Sequence, residues 1–331
     1  MSNYLWNRKW KILITDKNDK EALNMNDLHC TFEVHKRPSQ GGSYAVINIY
    51  NLSNETEQKL IQEADRVILE AGYQGTISAN PNEGILNNLL NSPGDEVAYY
   101  GKIFDGKVIY PSRHKENNTD YVLTLACIDG DQPLMFNYIA KSVNRGLNQR
   151  RIVETACQDG KIPIPVTQIS DTLSEQELPR GKVFFGRPSD YIEDVCRGNN
   201  ATFFMEDGAI NVYKLTDVAA DEALVISPET GLIGTPTQTT DGLKFTVLLN
   251  PSIHIRTRIK IKNSEVVEQT QLPGQAQRPL DDDWIYQCIE LTHRGDTRGN
   301  TWYTDIIGVS RYGKNSLAAM LSNEYQMPFS P

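Results

Sequence analysis

The sequence predicts an α+β fold that is mostly β: two antiparallel β-barrel-like domains with a smaller mixed α/β region between them. Three observations lead there. Apolar and polar residues alternate at the period of half-buried strands between residues 28 and 128, and again between 243 and 309. Stripes at helical spacing are short and gather in the middle of the chain. Turn-forming pairs of Asp, Asn and Gly punctuate both β-rich stretches.

The first domain is read as residues 1–128. Leu28, Cys30, Phe32 and Val34 alternate with His29, Thr31 and Glu33, and Tyr44–Tyr50 repeats the pattern with Ala45, Ile47 and Ile49 on one face. A short helix follows, with Asn54 as its predicted N-cap and Glu57 at the capping-box offset. Leu60, Ile61 and Ala64 form its apolar face. Val67–Tyr73 returns to strand. Residues 76–96 hold Asn80-Pro81-Asn82 and Ser92-Pro93-Gly94 and read as an inserted surface loop. Tyr99–Phe104 is a strand, Asp105-Gly106 a predicted hairpin turn, and Lys107–Tyr110 the way out of it. Tyr121–Cys127 is rich in β-formers and belongs in the core.

Residues 129–224 are read as the mixed region. Helical periodicity runs over Leu134–Val143, and more regularly over Arg150–Gln158, which Gly160 is placed to end. A further helix is expected from Asp190, with Glu193 at the capping-box offset, to Gly198. Ala201–Met205, the turn Glu206-Asp207-Gly208 and Ala209–Leu215 make a hairpin. The second barrel-like domain spans 225–318. Its strands are Leu243–Leu249, Ile253–Ile261, Trp284–Leu291 and Trp302–Val309, the last two flanking the polar run His293–Asn300. Residues 319–331 are a tail, and Ser316–Met327 reads as a short helix or part of that tail.

The two β-regions share a rhythm. Lys107–Pro111, His114, a polar turn and Tyr121–Ala126 match Cys288–Thr292, His293, a polar turn and Trp302–Gly308. Upstream, Arg66–Tyr73 and Leu243–Leu249 each supply an apolar strand. An internal duplication accounts for this, and so does chance likeness between two antiparallel β-domains.

Composition narrows the function. The chain has 331 residues and a net charge of −9, with no run of eighteen apolar residues. An acidic chain does not bind duplex DNA stably, because it lacks the cations that release counterions; an acidic surface suits a conduit that DNA passes without sticking. The N-terminal residues lack a secretory signal, so synthesis in a cytoplasm is expected. Five widely spaced cysteines (Cys30, Cys127, Cys157, Cys196, Cys288) contain no CxxC pair and read as small buried hydrophobes.

No nucleophile elbow, phosphate loop, zinc motif or dinucleotide fingerprint is present, and no cofactor or metal is expected. His29 and His35 stand six residues apart, about 20 Å along a straight strand, too far to share a metal. Asp281-Asp282-Asp283 lacks the ligand spacing of a calcium loop and reads as a solvated loop. The most pointed electrostatic feature is a basic row: His254, Arg256, Arg258, Lys260 and Lys262 alternate with Ile253, Ile255, Ile259 and Ile261. Two readings stand for it. It is a solvated or charge-protected edge face, or it meets an acidic partner subunit or lines a channel as a positive ring.

Several phrases resemble a known family. Val46-Ile47-Asn48-Ile49-Tyr50-Asn51-Leu52-Ser53, Leu69-Glu70-Ala71-Gly72-Tyr73 and Ile103-Phe104-Asp105-Gly106-Lys107-Val108 resemble the opening domain of phage tail baseplate hub proteins. Thr230–Pro236 and Leu248-Leu249-Asn250-Pro251 resemble the entry to that family's second barrel, and His293–Trp302 its late His-x-Gly-Asp turn. The resemblance implies a structural, non-enzymatic homotrimeric ring in the virion. The ring adapts a sixfold tail tube to a threefold central spike and encloses the passage of the tape-measure protein and genome. Tube, spike, tape-measure and baseplate wedge proteins are the implied partners; membrane insertion is not. The absence of a wall-degrading extension favours a contractile arrangement with a separate spike. Two other classes stay open: a tail-associated glycan hydrolase, which needs clustered acids in a pocket, and a carbohydrate-binding tail component. Trp284, Trp302 and Tyr303 are that component's candidate aromatics, unless they pack in the core.

Overall fold

In the computed structural model, described residues are 7–16, 22–25, 27–38, 42–73, 100–117, 119–130, 134, 136–214, 217, 223–239, 242–261, 267–268 and 284–310. The predicted loop 76–96, the triplet Asp281–Asp283, Lys262 and the tail lie outside them.

The first part of the chain forms β1 (Arg8–Asp16), β2 (Ala22–Asn24), β3 (Cys30–Lys36), β4 (Tyr44–Tyr50), α1 (Asn54–Glu63), β5 (Ala64–Tyr73), β6 (Tyr100–Lys115) and β7 (Tyr121–Ile128). The middle forms β8 (Ile139–Val143), α2 (Gln149–Gln158), β9 (Val166–Ile169), β10 (Lys182–Gly186), α3 (Pro188–Asn199), β11 (Ala201–Glu206) and β12 (Ala209–Lys214). The last part forms β13 (Leu224–Val225), β14 (Leu232–Gln238), β15 (Leu243–Leu248), β16 (Arg258–Lys260), β17 (Val267–Glu268), β18 (Ile285–Asp296) and β19 (Trp302–Ser310). The fold is mostly β, as the alternation predicts.

The two β-rich stretches form one sheet. Its order is β17-β14-β15-β19-β18-β3-β4-β7-β6-β5-β1-β2, with β16 also paired to β18 and β13 to β16. The join is β18 against β3, antiparallel, from Leu291 opposite Lys36 to Asp296 opposite Thr31. Strict alternation makes it possible: Cys30, Phe32 and Val34 are buried while Thr31, Glu33 and His35 face outward. Phe32 packs edge-on against Trp302 with ring centroids 5.4 Å apart. Trp302 itself is 1% exposed and donates its indole N–H to the Gly72 carbonyl at 3.3 Å. Thus Trp302 and Leu249, from the last part of the chain, complete the core of the first.

Sheet order reveals an internal duplication. The first half runs β3-β4-β7-β6-β5 and the second β14-β15-β19-β18-β16, every step antiparallel. Each half is a hairpin, a third strand and a second hairpin that inserts between them. Each second hairpin carries a register shift at the same place, between Val108 and Tyr110 and between Cys288 and Glu290. A side-chain hydrogen bond recurs as well: Thr124 Oγ1 donates to Asn48 across β7 and β4 (2.7 Å), and Thr246 Oγ1 to Asp305 across β15 and β19 (2.6 Å). The strand matching Leu243–Leu248 is therefore β4 and not Arg66–Tyr73, which matches β16. Apolar rhythm identifies strands but carries no information about their order.

Other local expectations are corrected by tertiary context. Asp105-Gly106 is not a turn, because β6 runs straight through it. Arg66 clamps Asp105 (2.8 and 2.9 Å), and a side chain at Gly106 would meet the Phe104 ring and the Ile128 carbonyl. The helix predicted over Leu134–Val143 does not extend to its second half: Ile139–Val143 is a strand paired with β10, itself a strand the periodicity missed. Ile253–Ile261 is not one strand. Its four isoleucines are buried as the alternation predicts, but Arg256 has φ 74° and the segment turns before β16. Ser53, one residue before the predicted Asn54, caps α1 by accepting the Thr56 N–H at 3.2 Å. Helix α3 begins at Pro188 without a side-chain cap, and left-handed Asn200 ends it in place of Gly198.

Gly295 sits where β18 crosses beneath Phe32, and an added methyl would press into that ring. Gly295→Ala is expected to cost about 1–3 kcal/mol by overpacking, read as a lower urea midpoint. Phe32→Leu in the same chain should recover part of the loss.

Candidate functional site

The three parts of the chain meet at the tip of the β11–β12 hairpin. Asp207 (φ 55°) and Gly208 (φ 85°) form its two-residue turn, and both left-handed conformations fit the sequence Asp-Gly. Both faces of the hairpin are buried. Phe203, Met205, Ile210 and Val212 pack with α2 and α3, while Phe204 and Tyr213 enter the core of the second β-half. The tip itself is polar and plugs into the first β-half.

Lys36, from the end of β3, is 1% exposed. Its ammonium donates to Glu206 Oε1 at 3.2 Å and to both Asp207 oxygens at 3.0 and 3.1 Å. Lys102 of β6 donates to the Asp207 carbonyl (3.2 Å) and to Asp105 (3.3 Å). The Gly208 N–H donates to the Asp129 carboxyl at 3.1 and 3.2 Å. From the last part of the chain, His254 Nδ1 lies 3.1 Å from Glu206 Oε1.

The electrostatics follow from burial and pairing. Burial opposes the charge of Lys36, but Glu206 and Asp207 outweigh it and hold its pKa above the usual lysine value. Burial likewise opposes ionisation of Glu206, yet Lys36 and His254 bring its pKa down to about 2. Asp129 is the exception. Burial, with Asp207 and Asp105 nearby, pushes its carboxyl up to about 7, although the Gly208 N–H and Lys36 pull the other way. His293 is buried behind this group, bonded to Thr304 Oγ1 at 2.8 Å, and burial holds its pKa well below the ordinary value.

Glu206, Asp207 and His254 bring three donor atoms within 4.8 Å of one another, a spacing that would fit a metal. Glu206 and Asp207 hold the Lys36 ammonium there, and His254 bonds to the same Glu206 oxygen. The node is a salt-bridged joint.

The predicted basic row is split by the turn at Arg256. His254 faces Glu206, and Arg256 lies over the Tyr213 ring at 4.4 Å and donates to Gln168 at 3.4 Å. Arg258 and Lys260 stand on β16, half-buried and exposed. Sequence reasoning read Glu206-Asp207-Gly208 only as a turn, and it passed over Lys36. A lysine continuing the inward-facing parity of Cys30, Phe32 and Val34 was the one available signal.

The family model for Baseplate hub gp41 matches residues 11–266. The chain belongs to this baseplate hub family. It is a structural protein of the phage tail, and its place is in the virion. The fold agrees. The 43 kDa tail protein of prophage MuSo2 from Shewanella oneidensis superposes with a TM-score of 0.53 at 9% identity, covering 92% of this chain and 97% of that one. A tail protein from Neisseria meningitidis MC58 gives 0.50 at 8% identity, covering 92% and 97%. No curated protein matches the sequence.

Two outcomes are expected of the node in this hub protein. Lys36→Met strands two buried carboxylates and should destabilise the fold by about 3–5 kcal/mol; adding Glu206→Gln and Asp207→Asn should restore much of it in urea unfolding. Asp129 gives a pH signature. Its folded pKa is raised, so its contribution to stability is full below the unfolded value near 4 and is lost as pH rises to about 7. Asp129→Asn keeps an acceptor for Gly208 and should gain on the wild type over that interval, by roughly 4 kcal/mol at most, in melts compared at pH 4.5 and 8.

Proposed function

We propose that the chain assembles as a homotrimeric ring at the centre of the baseplate. The ring adapts the sixfold tail tube to the threefold central spike and surrounds the passage for the tape-measure protein and genome. One observation carries the reading: a baseplate hub chain holds two copies of the same five-strand arrangement in a single sheet. Three such chains offer six similar faces to the tube and three identical ones to the spike. The two copies are the barrel-like domains at 1–128 and 225–318, and 129–224 is the region that braces them.

The work is done by surfaces. The clustered acids of the node are spent on Lys36, Lys102 and Arg66, which supports an assembly role over glycan hydrolysis. A carbohydrate groove built on Trp302 is disfavoured by its burial. The net charge of −9 suits a passage that DNA crosses without binding. Lys260, exposed on β16, is the part of the basic row that faces solvent for an acidic partner subunit; His254 and Arg256 are engaged within the chain.

Light scattering of the purified protein over a tenfold concentration range should give three times the 37.3 kDa chain mass. A monomer at every concentration counts against a self-assembling ring.

A further inference from the structure

The middle region carries an apolar face that nothing covers among the described residues. Strands β8 and β10 form a two-stranded sheet of their own. One side packs on α2 and α3 through Ile139 and Phe184, both 0% exposed. On the other side Val183 stands opposite Ser142 and Phe185 opposite Ala140. Val183 is 66% exposed and Phe185 73%. Tyr138, edge-on to Phe185 at 5.2 Å, is 41% exposed and nearby Phe136 74%. A bare apolar face on so small a sheet marks a contact surface.

Its surroundings are basic. Lys141 lies between Ala140 and Ser142, Lys182 adjoins Val183, and Arg180 and Arg187 flank β10. The Lys161 N–H donates to the Tyr138 carbonyl at 2.9 Å. The acids paired with these cations are Asp159, with Lys141, and Asp190, with Arg187. A chain of net charge −9 thus sets a cationic border around this face, and the occupant it fits is apolar with acidic flanks.

One stretch of the chain has that chemistry. Between Tyr73 and Tyr100, Ile85, Leu86, Leu89 and Leu90 recur at helical spacing. The charged residues of 74–99 are Glu83, Asp95 and Glu96, with no Lys or Arg. The other long stretches outside the described residues lack the match: 269–283 contains Arg278, and 311–331 contains Arg311 and Lys314. The stretch also ends in the right neighbourhood. Tyr100 is two residues from Lys102, which donates to the Asp207 carbonyl. From there the contacts run on to the face: Gly208 N–H to Asp129, Leu134 N–H to the Gly130 carbonyl (3.1 Å), and the Ser189 hydroxyl to the Leu134 carbonyl (2.9 Å). Phe136 follows Leu134 by two residues, and Phe185 precedes Ser189 by four. Asn91–Tyr99 reaches up to about 30 Å when extended, a span that takes in these successive contacts.

We propose that the stripe Ile85–Leu90 docks on the Phe136, Tyr138, Val183 and Phe185 face of its own chain, with Glu83, Asp95 and Glu96 toward the cationic border. The docked stretch ties the first β-half to the middle region at a second place beside the node. It does so in a single chain, whether or not the ring forms.

Cysteine cross-linking tests it, since all five native thiols are buried. In the full-length Leu89→Cys, Val183→Cys double variant, a short bismaleimide should form an internal link, located by peptide mass mapping. The link should form at least about tenfold faster than in Leu89→Cys, Val225→Cys, whose second site is 55% exposed on β13. Adding Glu83→Gln, Asp95→Asn and Glu96→Gln, or raising the salt concentration, should slow it by about threefold or more. A link no faster than the control overturns the docking. So does a link that forms only between chains when Leu89→Cys and Val183→Cys single variants are mixed.

Discussion

The pairing of β3 with β18 brings together segments at opposite ends of the sequence; the hydrogen bond between His29 and Asp296 beside it spans 267 positions. Closing so long a loop is entropically costly, and the return comes from several sources at once. Six residue pairs continue the ladder. Phe32 and Trp302 fill the core behind it, and Gly295 leaves room for the Phe32 ring. Arg294 reaches across the outer face to Glu33 at 3.0 Å and to Asp305 at 3.0 Å. Without this pair the two halves are separate sheets with an open edge each, and the core containing Trp302 has no reason to form.

Two copies of one topology then acquire different work through small changes. In the second half β18 is covered along its length; in the first, among the described residues, no strand pairs with the matching stretch of β6. The crossover between the third strand and the first hairpin differs too. It is the helix α1 in the first half, whose buried Glu57 pairs with Arg113 at 2.7 Å, and a turning loop in the second. That loop carries His254 and Arg256 to the middle region, so the duplicated halves are held by the hairpin β11–β12 in different ways: by Lys36 and Lys102 on the first half, and by Phe204 and Tyr213 together with His254 on the second.

The charged side of that arrangement is best understood as specification of geometry. A buried ion pair returns little net stability once the desolvation of both partners is counted. Removing one partner is costly, however, so Lys36 excludes every docking of the hairpin that would leave it unpaired. The carboxyl of Asp129, held beside the Gly208 N–H and two other acids, adds a proton-dependent element to the same joint.

By itself the sequence determined the β-rich class, most strands from Cys30 onward, the Glu206–Gly208 hairpin turn, the burial of the alternating isoleucines and the family, because period-two alternation and short turn phrases are local signals. It also displayed a rhythm shared by the two β-regions, with one strand matched to the wrong partner and chance likeness left as an equal account. It misread Asp105-Gly106 and Leu134–Val143, where the deciding partners, Arg66 and β10, lie about 40 residues away. It gave no hint that Lys36, Asp129, Glu206, Asp207 and His254 share one node, since those residues come from four separated segments and each is unremarkable where it stands. The order of the strands and the equivalence of β4 with β15 were decided only by tertiary structure. Hydrogen bonds between distant strands leave no periodicity in either strand alone.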